Sequence, residues 1–231
     1  MEITDLTKHF NLTMPMHDNS GARSYGIHVS NVIQLMKRDG LKEWKEYQSL
    51  PPEARDAGFM RMEQGFVWEE LLSLVWKERM AVRPMEVELD GIYGSPDGIW
   101  TPAQLATYGL KFSTDVLLEM KWTSRSTKTD FENWFSCITQ CKAYCKMLGI
   151  SNAIVIACHN KGDYSWLKFD KDEAGNPLSK PISFPAPMEL RATLVQFSEE
   201  ELNLNWNNMA EVANANFDTL IKMGNINITE E

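Results

Sequence analysis

The sequence has little that would suit a secreted or membrane protein. Only four of its 231 residues are cysteines, and Cys137, Cys141 and Cys145 fall on one predicted helix. That spacing is too close for a secreted disulfide framework and, with Cys158, indicates reduced thiols. The sequence also has no N-terminal apolar signal region and no hydrophobic run of transmembrane length. We therefore expect a soluble intracellular protein with no membrane partner.

Basic residues and histidines are also scarce. The chain has 23 Lys and Arg against 32 Asp and Glu, a net charge of −9 and a pI of about 5.1. This balance argues against a general phosphate-binding surface. It does not exclude a local basic groove, because electrostatic steering of a ligand depends on where the charges lie. The four histidines are scattered and suggest no histidine-based catalysis: His9, His17, His28 and His159.

What is present suits a globular domain. The chain is 43% hydrophobic, which is enough for one domain with a sizeable core. Periodicity and capping signals predict helices, then three or four strands, a helix, two strands and a helix. That order is typical of an α/β or α+β layered domain with a mixed sheet.

Capping residues and apolar periodicity place the predicted helices. Ser30 is the predicted N-cap of the first helix, and Gly40 its stop. The two capping boxes Thr129/Glu132 and Ser198/Glu201 open the last two helices. The predicted spans are 30–36, 41–48, about 53–79, 129–148 with Gly149 as its stop, and 198 to about 223.

Alternating or continuous apolar runs place the predicted strands. The strand at 153–158 is expected to pair with 164–169 as a hairpin. The segments 101–114 and 170–187 are expected to be loops, because they are polar or rich in Pro and Gly. The other predicted strands are 87–93, 99–100 and 116–122.

The strand predicted at 116–122 carries charge on an apolar element. Because strand side chains alternate, Leu117, Glu119 and Lys121 share one face, and Val116, Leu118, Met120 and Trp122 share the other. A buried charge is costly unless it is paired or holds a metal. Glu119 and Lys121 therefore mark a candidate site.

Two further carboxylates belong to this candidate site. Asp97 follows Pro96 in a bend, and Glu69 lies beside the apolar stripe of its helix, one turn after Gly65. Each also has an ordinary explanation: a solvated helix charge for Glu69 and an Asp-Gly turn for Asp97, of which Asp90-Gly91 is a second copy. Together with Glu119 they are ligands that hard divalent cations prefer. Lys121 beside them can position a water and offset developing charge on a phosphate.

These residues resemble the PD-(D/E)XK nuclease superfamily. Pro96-Asp97 and Glu119-Met120-Lys121 resemble its central motif. Gly65 to Glu69 and Gln140 to Tyr144 resemble the upstream acidic helix and the Q-x-x-x-Y motif of its RecB-like and lambda-exonuclease-like branch, and Ile27 to Ser30 resembles the serine-bearing start of that branch's first helix. Each motif alone is weak, and the weight lies in their order along about residues 30–169.

The resemblance implies a restriction-endonuclease-like core, with a mixed sheet flanked by helices, and roles for the site residues. Asp97, Glu119 and the Met120 backbone carbonyl would bind Mg²⁺ or Mn²⁺, and Glu69 would bind directly or through water. Lys121 would position the nucleophilic water. Gln140 and Tyr144 would orient the site or contact DNA. Ser124 and Arg125 either contact phosphate or belong to a solvated loop.

The implied activity is metal-dependent hydrolysis of DNA, as an exonuclease in recombination, repair or phage DNA processing. The chain would form one nuclease domain, 1–231, in the cytoplasm of a prokaryote or a phage-infected host. Its partners would be DNA, a single-strand-annealing recombination protein, and further copies of itself. Some RecB-like nucleases carry four cysteines for an iron–sulfur cluster, one upstream of the nuclease core and three after it. No such cluster is expected here, because no cysteine precedes Cys137. The alternatives are a structure-specific or other endonuclease, a non-catalytic nucleic-acid-binding module, and a structural or interaction protein.

Overall fold

The computed structural model describes residues 26–51, 65, 67–69, 74, 76, 81–123, 131–160, 168–171, 173, 177–183 and 188–224. Six helices with defined bounds lie in these ranges: α1 (Val29–Met36), α2 (Gly40–Ser49), α3 (Pro102–Ala106), α4 (Phe135–Leu148), α5 (Glu199–Ala215) and α6 (Phe217–Gly224). Residues 65, 67–69, 74 and 76 are also helical. The strands are β1 (Ile27–His28), β2 (Val87–Leu89), β3 (Ile92–Gly94), β4 (Gly98–Trp100), β5 (Val116–Thr123), β6 (Asn152–Asn160), β7 (Lys168–Lys171), β8 (Pro177–Ser183) and β9 (Met188–Gln196).

A four-stranded mixed sheet forms the centre of the fold. Its strand order is β4-β5-β6-β9. The β5–β6 pair is parallel, with Glu119 opposite Val155, and both outer pairs are antiparallel. Parallel neighbours need a long crossover, and α4 supplies it. The expected α/β class, with a central mixed sheet flanked by helices, is confirmed.

The two faces of the central sheet bury different clusters. Leu117 of β5 and Val155 of β6 pack with residues of α1, α4, α5 and α6. The next residues along β5 point the other way: Val116, Leu118 and Met120 pack against Trp68, Trp100 and Leu105. The predicted alternation of this strand is therefore confirmed, and Glu119 and Lys121 lie on the α4 side.

A small three-stranded sheet, ordered β1-β3-β2, replaces the single strand predicted at 87–93. The chain turns at Asp90 and Gly91, whose φ angles of 51° and 77° suit a two-residue hairpin. The side chain of Asp90 also accepts a hydrogen bond of 2.8 Å from Trp206 Nε1 of α5. Asp90 is thus a turn residue, as its Asp-Gly signal predicts.

Several helix predictions were wrong at their ends. The N-cap of α1 is His28 and not Ser30, which lies inside the helix. Gly40 starts α2 where a stop was predicted; an added Cβ there would lie 1.7 Å from the Gln34 carbonyl oxygen. The predicted loop at 101–114 contains α3, which the Thr101/Gln104 capping box opens. Helix α4 starts only at Phe135, after a 3₁₀ turn.

The C-terminal strands also differ from the prediction. β6 extends through His159 and Asn160, where a turn was predicted, and its described partners are β5 and β9. Of the predicted hairpin strand 164–169, residues 164–167 lie outside the described residues, and 168–169 belong to β7. Within the predicted loop 170–187, β8 pairs with β7. The Ser198/Glu201 capping box of α5 is confirmed, although the long helix is broken at Asn216. Among the described residues, no helix is long and apolar enough to span a bilayer.

Candidate active site

Strand β5 brings a carboxylate and an amine together on the α4 side of the sheet. Glu119 is fully buried, whereas the Lys121 side chain is 28% exposed. Lys121 Nζ donates a hydrogen bond to Glu119 Oε1, two residues away along the strand. The alternation of the strand brings this pair together, because residues two apart share a face.

Asp97 is fixed to the same strand from the neighbouring side. Its Oδ2 accepts a hydrogen bond of 2.7 Å from the backbone amide of Met120. Strand β4 ends its pairing with β5 at Gly98 opposite Leu118, so Asp97 lies just beyond the last paired residue. Because the N–H and C=O of one strand residue point to the same edge, the Met120 carbonyl oxygen also points to the Asp97 side.

Helix α4 contributes two side chains that support the lysine. Lys121 Nζ donates to Gln140 Oε1 at 3.1 Å, and Gln140 Nε2 donates to the Tyr144 hydroxyl at 3.1 Å. Gln140 and Tyr144 are four residues apart on the helix, so they lie on one face. The result is a chain of contacts from Glu119 through Lys121 and Gln140 to the buried Tyr144.

Glu69 lies close enough to the site for the charges of Asp97 and Lys121 to act on it. It contacts Arg83, a residue that none of the sequence motifs contains. Glu69 Oε2 lies 3.2 Å from Arg83 Nη1. The charges of Arg83 and Asp97 both act on Glu69, and that of Arg83 also acts on Asp97. Arg83 was missed because it follows the helix in a stretch with no motif, and its importance comes only from the fold.

Burial raises the pKa of every carboxylate in the site. It raises the pKa of Glu69 to about 7, with the charge of Asp97 adding to the effect. Burial likewise raises the pKa of Asp97, and it raises that of Glu119 further because the negative charge of Asp97 is nearby. For Lys121, burial alone would lower the pKa, but Glu119 and Asp97 outweigh it and raise the pKa above its ordinary value.

The residues present fit a divalent cation. Glu119 Oε2 is buried and has no hydrogen-bond partner within the described ranges. A buried carboxylate oxygen without a partner is costly, and a cation would satisfy it. The charge of Asp97 acts on Glu119, so Asp97 is near enough to be a second ligand of such a cation. Across the described residues, no three His, Cys, Asp or Glu side chains converge tightly enough to hold an ion by themselves.

The sequence-predicted residues therefore separate into groups. Asp97, Glu119, Lys121, Gln140 and Tyr144 meet around β5, whereas Glu69 contacts Arg83 at the border of this group. Ser124 and Arg125 lie outside the described residues. At Gly65, no atom of the described residues lies within 4 Å of the position that a Cβ would occupy, so none of their backbone approaches it there.

All four cysteines are buried, and none of them forms a disulfide. The hydrogen bond with Cys137 and burial both raise the pKa of Cys141, and burial raises that of Cys145 to about 12. Thiols in this state are neutral and act as small core residues.

Comparisons with known proteins give only distant likenesses. No protein-family model and no curated protein matches the sequence. An alkaline exonuclease (LHK-Exo) from Laribacter hongkongensis has a TM-score of 0.46 and 14% identity, covering 88% of this chain and 93% of that one. A phage-related exonuclease from Haemophilus somnus 129PT has a TM-score of 0.46 and 13% identity, covering 88% and 98%. At such values the likenesses assign neither a family nor an activity, so function has to be inferred from this chain's own residues.

Proposed function

We propose that this chain is a metal-dependent nuclease of the PD-(D/E)XK superfamily that hydrolyses DNA phosphodiester bonds. The observation that carries the proposal is the state of Glu119. One of its oxygens accepts from Lys121, and the other is buried with no hydrogen-bond partner among the described residues. A buried carboxylate in this state serves no packing purpose, whereas it suits a cation that the substrate phosphate also contacts.

The proposed ligands are Asp97, Glu119 and the Met120 carbonyl, with Glu69 binding directly or through water. A bound Mg²⁺ or Mn²⁺ would supply an acidic water and neutralise charge on the phosphate. Asp97 would be held in its ligating position by the Met120 amide, because that hydrogen bond fixes one of its oxygens.

Lys121 would act as a fixed cation. Its raised pKa keeps it protonated at neutral pH, so it orients the attacking water and stabilises developing negative charge instead of accepting a proton. Gln140 holds the Lys121 amine in place, and Tyr144 holds Gln140. We assign these two residues to positioning of the lysine.

Four elements support the superfamily assignment by their order along the chain. Glu69 lies on a helix, Asp97 in the bend before β4, Glu119 and Lys121 on β5, and Gln140 on α4. We assign the motif-bearing core to about residues 30–169, with a restriction-endonuclease-like arrangement, within one nuclease domain of 1–231. We further propose an exonuclease in DNA recombination, repair or phage DNA processing, working with a single-strand-annealing protein.

The test compares linear and covalently closed circular DNA with Mg²⁺, Mn²⁺ or a chelator. The proteins are the wild type, Lys121→Ala and the matched control Lys142→Ala, whose lysine lies on α4 and contacts Glu201 instead. We expect the wild type and the control to degrade linear DNA only when metal is present, and Lys121→Ala to be inactive. Cleavage of circular DNA would indicate an endonuclease. If the proteins bind DNA without metal and none of the three cleaves it, the chain is a binding module and the proposal is refuted.

A further inference from the structure

We propose that Arg83 contacts a phosphate of the substrate strand at the mouth of the site and that Glu69 holds Arg83 in position. The inference rests on the proposed nuclease function. It gives a substrate-binding role to a residue that none of the sequence motifs contains.

The backbone beside Arg83 is anchored to the central sheet. Val82 exchanges two hydrogen bonds with Ile99 of β4, of 3.0 and 2.8 Å. Ile99 is two residues after Asp97, so this bridge places Arg83 on the outer side of β4, next to the site. The following residue is Pro84, whose ring restricts the backbone further.

The side chain of Arg83 combines a fixed contact with an open surface. Its Nη1 lies 3.2 Å from Glu69 Oε2, and its side chain is 55% exposed, against 18% for Glu69. A guanidinium has five N–H donors, so the contact with Glu69 leaves capacity for a second anion. Its planar fork matches the geometry of a phosphate.

The charges around the site call for such a contact. Where they are ionised, Glu69, Asp97 and Glu119 repel an approaching phosphate, and the chain as a whole carries −9. Lys121 already contacts Glu119 and Gln140. Arg83 is more exposed than Lys121, and its charge acts on both Glu69 and Asp97. It is therefore placed to attract the phosphate without leaving its carboxylate partner.

The simpler explanation is an ordinary surface ion pair. Because Glu69 is only 18% exposed, removing Arg83 on this explanation changes the stability and the charge state of Glu69, but it leaves the number of phosphate contacts unchanged. The salt dependence of DNA binding separates the two explanations. The slope of the binding constant against salt concentration reports how many phosphates the protein contacts, and ion pairs within the protein do not contribute to it.

The experiment measures binding of a fluorescent duplex with a short overhang, with Ca²⁺ replacing Mg²⁺ to suppress hydrolysis, at several salt concentrations. The proteins are the wild type, Arg83→Ala, Arg83→Lys and the control Arg191→Ala. Arg191 is an exposed arginine on β9, at the opposite edge of the sheet from β4. The control matches the change in net charge of Arg83→Ala.

For Arg83→Ala we expect binding about tenfold weaker at low salt and a salt slope smaller by about one contact. Arg83→Lys should keep most of the slope, because the charge remains, and Arg191→Ala should match the wild type. Wild-type binding by Arg83→Ala at every salt concentration would overturn the inference, as would an equal loss in Arg191→Ala.

Arg83→Lys keeps the inference testable if Arg83→Ala unfolds. If the lysine variant is folded and its salt slope is as small as that expected for Arg83→Ala, a charge contact with phosphate is refuted.

A separate assay with Mg²⁺ distinguishes the two proposals. If the wild type binds DNA without cleaving it, the nuclease proposal fails while the comparison still decides the role of Arg83. If Arg83→Ala binds normally and only cleaves more slowly, the phosphate contact fails and the nuclease stands.

Discussion

The carboxylate of Asp97 accepts a 2.7 Å hydrogen bond from the backbone amide of Met120, the residue that separates Glu119 from Lys121. Met120 itself packs its side chain on the opposite face of the sheet, among the apolar residues around Trp100. One residue thus fixes the position of Asp97 through its backbone and anchors the strand through its side chain. The relative positions of Asp97, Glu119 and Lys121 therefore depend on β5 as a rigid unit.

Asp97→Asn should abolish cleavage without unfolding the protein. The amide oxygen can still accept from the Met120 amide, but the ligand charge is gone, and we expect activity to fall by roughly 100-fold or more. Burial raises the pKa of Asp97, so its ionised form costs stability in the metal-free protein. In a chelator the variant should therefore melt at the wild-type temperature or slightly higher.

Thermal melts with added Mn²⁺ complete this test. A cation that binds only the folded state raises the melting temperature, so the wild type should shift and Asp97→Asn should shift much less. Equal shifts in the two proteins would remove Asp97 from the proposed ligand set, whatever the cleavage assay shows.

The metal-free protein should lose stability as the pH rises through 7, in part because of Glu69. The pKa of Glu69 is raised from 4.5 to about 7, so between these values the folded state holds a proton that the unfolded state has released. This contribution is fully present below about pH 4.5 and is lost as the pH rises through 7. Its size is at most about 3.5 kcal/mol, from about 1.4 kcal/mol per pH unit between pH 4.5 and about 7, and solvent screening of the partly exposed Glu69 lowers it.

Melting curves of the wild type and Glu69→Gln at pH 5 and pH 8 in chelator measure this effect. Glutamine resembles the protonated acid, so the stability of Glu69→Gln relative to that of the wild type should increase as the pH rises. Glu211→Gln, which removes an exposed carboxylate of α5, is the control and should follow the wild type. If the Glu69→Gln and wild-type stabilities fall in parallel, the burial of Glu69 does not have this consequence.

Short-range patterns predicted the centre of the site well. The alternation of β5 was enough to place Glu119 and Lys121 on one face, because a strand repeats every two residues whatever surrounds it. The capping box of Ser198 and Glu201 was equally predictable, since its hydrogen bonds join residues three apart. In both cases the structure is decided by neighbours in the sequence.

Long-range pairing was not predictable in the same way. β6 pairs with β5 and β9, which are separated from it in sequence by a helix and by a hairpin. Nothing within the apolar run at 153–158 distinguishes these partners from an adjacent hairpin strand. The contact between Glu69 and Arg83 has the same origin, because it joins a helix to a residue fixed by the bridge between Val82 and Ile99.

Gly94→Ala should disturb the site through Tyr144. A Cβ at this position would lie 2.7 Å from Tyr144 Cε1, so the ring or β3 has to move. We expect a loss of stability of about 1–3 kcal/mol and a several-fold loss of activity, because Tyr144 holds Gln140. Denaturant melts and cleavage rates measure the two effects.

Gly65→Ala is the matched control, since a Cβ there meets no described atom within 4 Å. In a helix this change should leave stability equal or improve it by up to about 1 kcal/mol. Unchanged activity in Gly94→Ala would contradict the role of Tyr144. A loss of activity in Gly65→Ala with normal stability would instead show that the substrate approaches this helix.

Variants of Gln140 and Tyr144 should slow catalysis, and the effect should be larger for Gln140, which contacts Lys121 directly. Gln140→Ala removes the oxygen that accepts from Lys121 Nζ at 3.1 Å, and residues that orient a functional group typically cost about 10–100-fold when lost. Tyr144→Phe removes only the acceptor for Gln140 Nε2, so we expect a loss of less than about tenfold. Both changes should lower kcat and leave KM close to the wild-type value, because neither side chain is assigned a contact with DNA.

The effect of Tyr144→Phe should also be constant between pH 6 and pH 9. Burial raises the pKa of Tyr144 above its ordinary value, so the hydroxyl stays neutral and the hydrogen bond persists across this range. Lys142→Ala on the same helix is the control and should match the wild type. A raised KM in either variant would mean that the side chain contacts the substrate, and an effect confined to high pH would mean that the Tyr144 hydroxyl ionises.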